Sequence, residues 1–290
     1  MKMPKPQAQN LKPQTFDFHT HTNYQDGKNT SREMTEVAIQ NGLKIYGISE
    51  HHPRPPEFRY FNDPPNEIRG LSRWPKFLAE MQTLKKEFSP KIELLLASEF
   101  DWLGKDNLAT WQKWHKEANF DYVIGSVHFL GKWGFDYQKD WDKGKQKFNS
   151  IEAIYEKYFA EVAEMINSGA EFFDIVGHLD LIKKFVKNSP NTLPFVLPVL
   201  DAMAKTDLVL EINTAGLEKF CAEQYPSLEI LRAAREREIP ITINSDAHET
   251  CQIAKYFEQG KKLAQNTGYD AIEVFHTNGN KETITILNKF

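Results

Sequence analysis

Seven short apolar runs, each separated from the next by a stretch of helical periodicity, constrain this chain more than any other feature. The runs are TFDFH (15–19), KIYGIS (44–49), IELLLAS (92–98), YVIGSVH (122–128), FFDIVGH (172–178), LVLEIN (208–213) and ITINSD (241–246). Helical patterns fall between and after them, over 31–42, 71–88, 107–118, 150–169, 193–206, 227–239 and 250–268. In the fourth of these, Ser150 is placed to cap a helix whose Ile151, Ile154, Tyr155, Tyr158, Phe159 and Val162 share one face. Strands alternating with helices predict a parallel sheet with right-handed crossovers. Seven such units without a Gly/Ser linker or a break in composition predict one closed or nearly closed α/β barrel over residues 15–290. An open doubly wound sheet is the alternative. The segments AIEVFH and TITIL after Tyr269 predict one or two further strands.

Composition narrows the function classes. The 290 residues are 40% hydrophobic and 12% aromatic, enough for a large core, and the net charge is −4. A mildly acidic chain lacks the basic excess of a nucleic-acid binder. No apolar run approaches a membrane span, so a soluble protein with a small-molecule substrate is expected. Residues 1–14, rich in Pro, Lys and Gln, read as a short mobile leader without a signal-peptide core. Cys221 and Cys251 show no metal-binding or disulfide spacing, which suits the cytoplasm. Oligomeric state is not legible.

Chemistry-bearing side chains recur at the carboxyl ends of the runs. His19 and His21 end the first, and residues i and i+2 of a strand face the same side. Glu50, His51 and His52 follow the second, Glu99 the third, His128 the fourth, His178 the fifth, and Asp246 and His248 the seventh. In α/β barrels these ends converge on one face, where active sites are built. A lone H-x-H is more often a solvated strand end. A set drawn from nearly every strand end is better explained as a metal site. His115 reads as a helix-surface residue and His276 as structural. GLEKFC and the surroundings of Trp111 and Trp114 read as packing.

The ordered motifs DFHTH, ISEHH, SEFDW, SVHFL, VGHLD and NSDAH resemble those of the PHP (polymerase and histidinol phosphatase) superfamily. SVHFLG, SIEAIYEKYF, VGHLDLIKKF and LEINTAGL extend the resemblance, to its histidinol-phosphatase branch, over roughly residues 15 to 285. The resemblance implies a distorted (β/α)7 barrel and a trinuclear centre of divalent ions. His19, His21, Glu99 and Asp246 would hold the first metal. Glu99 would bridge to a second on His128 and His178, and Asp26, His51 and His248 would hold a third. Imidazole and carboxylate without thiolate suit zinc, iron or manganese.

Two cations sharing Glu99 would lower the pKa of a bridging water, giving hydroxide for in-line attack on phosphorus. Asp246 or a water would protonate the leaving alkoxide, and Asp17 is expected to orient an imidazole from behind. Lys184 would pair with the phosphate. The resemblance points to L-histidinol phosphate as substrate. Asp101 is the candidate for its ammonium or imidazole, His52 a further contact, and Phe129 with KWGFDY (132–137) the aromatic wall. The alternatives are another phosphomonoester, a phosphodiester or nucleotide, and a non-catalytic metal-binding protein.

Overall fold

A computed structural model describes residues 16–60, 63, 70–109, 113 and 118–286 of the chain. The leader expected over residues 1–14, together with Trp111, Trp114 and His115, lies outside the described residues. Seven strands form one sheet: β1 (Phe16–Asp17), β2 (Ile45–His51), β3 (Glu93–Asp101), β4 (Tyr122–Ser126), β7 (Ile175–Val176), β8 (Val209–Asn213) and β9 (Ile241–Asn244). They are ordered β1-β2-β3-β4-β7-β8-β9, and every pairing is parallel. The sheet nearly closes on itself. Thr20 and Ala247 make an isolated parallel bridge, His21 N donates to Ala247 O at 2.8 Å, and Phe18 N donates to Asn244 Oδ1 at 3.1 Å.

The strands are apolar because both faces are covered. β2, β4, β8 and β9 are buried at every position, as parallel strands packed between a barrel interior and a helical shell must be. The shell comprises α1 (Ser31–Gln40), α2 (Trp74–Phe88), α4 (Ile151–Gly169), α5 (Leu193–Met203), α6 (Leu228–Glu236) and α7 (Phe257–Asn266). Ser150 caps α4 by accepting from Ala153 N, and Ile154, Tyr155, Tyr158, Phe159 and Val162 are its buried stripe, while Ile151 is only partly buried. The fold is the expected distorted (β/α)7 barrel.

Two details differ from expectation, and the two strands expected after Tyr269 are present but outside the barrel sheet. The helix expected over 250–268 begins only at Phe257, after a 3₁₀ turn at Thr250–Gln252. Ala254 and Tyr256 take positive φ, and Ala254 N is held by Asp17 Oδ2 at 2.9 Å, which prevents a continuous helix. Between β4 and α4 the chain adds a hairpin of β5 (Phe129–Leu130) and β6 (Trp133–Gly134), then a short α3 (Gln138–Gly144). The C-terminal runs form a separate antiparallel pair, β10 (Ala271–Phe275) with β11 (Lys281–Thr285). His276 ties that pair to Glu93, the first residue of β3, at 2.8 Å. It therefore lies toward the amino ends of the strands, away from the other histidines, in a structural role.

Candidate metal centre

The strand ends gather the expected residues at one end of the barrel. Glu99 is buried at the middle of the group. Its Oε1 faces His178 Nε2 at 2.9 Å and His128 Nε2 at 3.6 Å. Its Oε2 faces His51 Nδ1 at 3.1 Å, His19 Nε2 at 3.4 Å and His21 Nε2 at 3.5 Å. Asp246 Oδ1 lies 3.4 Å from His21 Nε2, 3.6 Å from His19 Nε2 and 3.6 Å from His248 Nδ1. Asp26 completes the far side, 3.4 Å from His51 Nε2 and 3.7 Å from His248 Nε2. A tight turn presents Asp26, with Gly27 N donating to Thr22 O at 2.9 Å. A Cβ on Gly27 would meet His21 O at 2.7 Å, so glycine is required where this turn crosses the backbone of His21.

The donor set fits divalent cations. Among the described residues, the buried nitrogens His19 Nε2, His21 Nε2 and His51 Nδ1 have no hydrogen-bond partner, and each faces Glu99 Oε2. Orphaned polar atoms in a buried site are costly unless something absent satisfies them. His21, Asp26, His51 and His248 form one group whose donor atoms all lie within 4.8 Å of one another. His19, His21 and Asp246 form a second, His19, Glu99 and His178 a third, and His51, Asp101 and His128 a fourth.

Protons compete for these positions. Burial alone would depress His21, but the facing carboxylates of Asp246, Glu50 and Glu99 outweigh it and push the pKa up to about 10. Burial likewise opposes, and Glu99 and Asp101 reverse, the shift of His128, which rises to about 9. Conversely, burial would raise Glu99, yet the charges of His19, His128 and His51 hold it well below the usual range. In the metal-free protein both imidazoles hold protons at neutral pH, and a cation must displace them. Apparent metal affinity should therefore climb as pH rises from 6.5 toward 9, by about tenfold per unit for each proton released. Chelator competition across that range measures it, and a flat profile would show that the imidazoles are already neutral.

Buried carboxylates hold the imidazoles from behind. Glu211 accepts from His19 Nδ1 at 2.7 Å and, through its other oxygen, from His178 N at 2.7 Å. Asp101 accepts from His128 Nδ1 at 2.5 Å. Such contacts fix the tautomer, leaving Nε2 of each ring for the centre. Asp17 does not touch an imidazole as expected; it accepts from Ser245 Oγ, Ser245 N and Ala254 N and so secures the β1–β9 seam. Glu211 takes the role foreseen for Asp17.

A cavity of about 400 Å³ opens over the centre. Asp26, His51, Glu99, His128, His178, Asp246 and His248 line one side, and Tyr60, Asp63, Asp136, Tyr137, Lys184 and Lys219 are among those facing them. Lys184 is thus at the cavity, 3.4 Å from Asp136 Oδ2, whereas its neighbour Lys183 is buried against Asp180 and Glu223. Three expected substrate contacts do not reach it. Asp101 is only 3% exposed and engaged by His128 and Arg54. His52 turns the opposite way from His51, as alternation in a strand demands, and stacks on Phe100 with ring centroids 4.3 Å apart. Phe129 is buried behind Tyr60, whose ring lies 5.1 Å from it. GLEKFC is packing only in part: Gly216 is buried and Cys221 lies against the core, but Lys219 lines the cavity and Phe220 is 63% exposed. Asp136 and Tyr137, within KWGFDY, do line it.

Residues 17–215 match the PHP domain family. The chain is 34% identical to a Deinococcus radiodurans protein named "Probable histidinol-phosphatase", over 90% of this chain and 96% of that one. It is 26% identical to the histidinol-phosphatase of Bacillus subtilis, over 84% of this chain and 97% of the relative. In shape it is similar to a Lactococcus lactis histidinol phosphate phosphatase solved with zinc, L-histidinol and phosphate, with a TM-score of 0.73 at 20% identity. That likeness covers 93% of this chain and 99% of the other. With its seven-stranded barrel, its cluster of imidazoles and carboxylates, and these relatives, the chain belongs to the PHP domain family.

Proposed function

We propose that this protein is a metal-dependent phosphomonoesterase that hydrolyses L-histidinol phosphate to L-histidinol and phosphate. The observation that carries the reading is one cavity lined by four imidazoles and three carboxylates of the centre, with the fully buried His19 and His21 beneath them, and by two lysines and an aromatic–acidic surface. The relatives' names support it, and L-histidinol with phosphate in the Lactococcus structure is the product pair of that reaction. The reading takes residues 15–290 as one barrel domain. It also takes the enzyme to be cytoplasmic, and among the described residues no helix is long and apolar enough to cross a membrane.

We take the donors to serve three divalent ions, divided as the family resemblance implies: His19, His21, Glu99 and Asp246; Glu99, His128 and His178; and Asp26, His51 and His248. Such ions supply Lewis-acid activation of water and neutralise charge building up on the phosphoryl oxygens. Lys184 and Lys219 bind and orient the phosphate. Asp246 is held ionised, because the charges of His19 and His248 and a hydrogen bond to His21 outweigh the upward push of burial. In that form it can hold a cation, and the leaving alkoxide would take its proton from Asp246 or from a bound water. Asp136 takes the place first given to Asp101, as the carboxylate that meets the ammonium or imidazole, with Tyr60 and Tyr137 as the flat wall.

The test compares kcat/KM for L-histidinol phosphate, p-nitrophenyl phosphate and a phosphodiester on the metal-replete enzyme. Preference for the first by about three orders of magnitude is expected, since binding energy from the remote imidazole is used at the reacting centre. Equal values for both monoesters would reduce the enzyme to a generic phosphatase, and preference for the diester would overturn the reading. Lys184→Ala should raise KM for L-histidinol phosphate by at least about tenfold, or roughly 1.4 kcal/mol. An unchanged KM would remove Lys184 from the phosphate site.

A further inference from the structure

Arg54 is a buried guanidinium placed between the cavity wall and the metal centre. It is 3% exposed and packs against two neighbouring rings, 4.7 Å from the centroid of Tyr60 and 5.1 Å from that of Phe129. Its Nε donates to Phe58 O at 2.8 Å, its Nη2 to Asp63 Oδ2 at 2.9 Å, and its Nη1 to Asp101 Oδ2 at 3.4 Å. The other oxygen of Asp101 accepts from His128 Nδ1, and Asp63 also accepts from Tyr60 N at 2.8 Å. One planar cation thus joins the segment carrying Tyr60 and Asp63 to the carboxylate that holds His128. A lysine could not make three directed bonds and stack on two rings at once.

We propose that Arg54 is a positioning residue that couples the substrate-facing wall to the His128 side of the metal centre. It fixes the plane of Asp101, and through Asp101 the direction of His128 Nε2. It also fixes the ring of Tyr60, so the two halves of the cavity are set by one side chain. The proposal rests on the reading of His128 as a metal ligand. A guanidinium that merely filled space would contribute to stability alone and leave both metal affinity and KM unmoved.

The test uses the full-length protein and zinc, with chelator competition as the readout. Arg54→Gln and Asp101→Asn should each weaken one equivalent of zinc by about tenfold to a hundredfold, the usual scale for partners that orient a metal-binding histidine. The double variant should lose no more than Asp101→Asn alone, because both act along one path. KM for L-histidinol phosphate should rise in Arg54→Gln and stay near normal in Asp101→Asn, since only Arg54 holds the wall. If Arg54→Gln does not fold, Arg54→Lys keeps a charge without the triple contact and should give the same pattern. Unchanged zinc affinity in the folded variant, or losses that add in the double variant, would overturn the coupling. His128→Ala separates the two levels of the argument. If it keeps every equivalent of zinc, the reading of the ligands fails. If it loses one while the Arg54 variant does not, only the coupling fails.

Discussion

Glu99→Ala is expected to strip at least two equivalents of metal from the purified protein and lower kcat by about a thousandfold or more. Five imidazoles face this one carboxylate, which is the only acidic group shared by the positions assigned to the first and second ions. Removing it leaves clustered imidazoles that repel one another when protonated and lack a bridging anion when neutral. Metal content after gel filtration and turnover of L-histidinol phosphate measure the two losses, which should appear together. Asp26→Ala provides the contrast: Asp26 faces His51 and His248, both assigned to the third ion, so a single equivalent should be lost. Full occupancy with near-normal turnover in Glu99→Ala would end the assignment.

The second large effect is expected at a residue that would never touch substrate. Glu211 is fully buried and accepts from four donors: His19 Nδ1, His178 N, Asn244 Nδ2 and Asn213 Nδ2. Its Oε1 serves His19 and Asn244, and its Oε2 serves His178 and Asn213. Glu211→Gln would turn one acceptor into a donor, forcing an NH₂ group against two N–H groups whichever way the amide is turned. We expect a stability loss of about 3 kcal/mol or more in the metal-free protein, the scale for breaking a buried charged pair from one side. Metal affinity should fall by a further tenfold to a hundredfold or so, because His19 and His178 both lose their orientation. Urea denaturation and chelator competition measure these separately, and wild-type values in both would refute the role.

The barrel was legible because its two periodicities are strong: apolar runs of five to seven residues and helical stripes between them. The centre was legible for a related reason, since strand parity forces His19 with His21 to one side and His51 away from His52. Glu211 was missed because it sits inside LVLEIN, where the run reads as a strand and nothing more. A charge within a strand buried on both faces was the available signal, as such a group must have a partner. Asp101 was misjudged by the same parity argument that located its neighbours. It does share a side with Glu99, but His128 and Arg54 claim it before any substrate can. Tyr60 and Asp63 belong to an irregular, proline-rich stretch, and no periodicity announces where such a segment will lie.

The seam between β1 and β9 has a consequence for how the molecule comes into being. Asp17 and Ser245 meet across 228 positions of sequence, and the histidines beside Asp17 share their carboxylate with Asp246. On the ribosome, the first two imidazoles emerge long before the aspartate that faces them. Closing loops of this length is entropically among the costlier steps in shaping the barrel. A cation gripping His19, His21 and Asp246 would act as a clasp on the finished ring, so a cell short of metal would accumulate chains that are fully synthesised yet slow to shut.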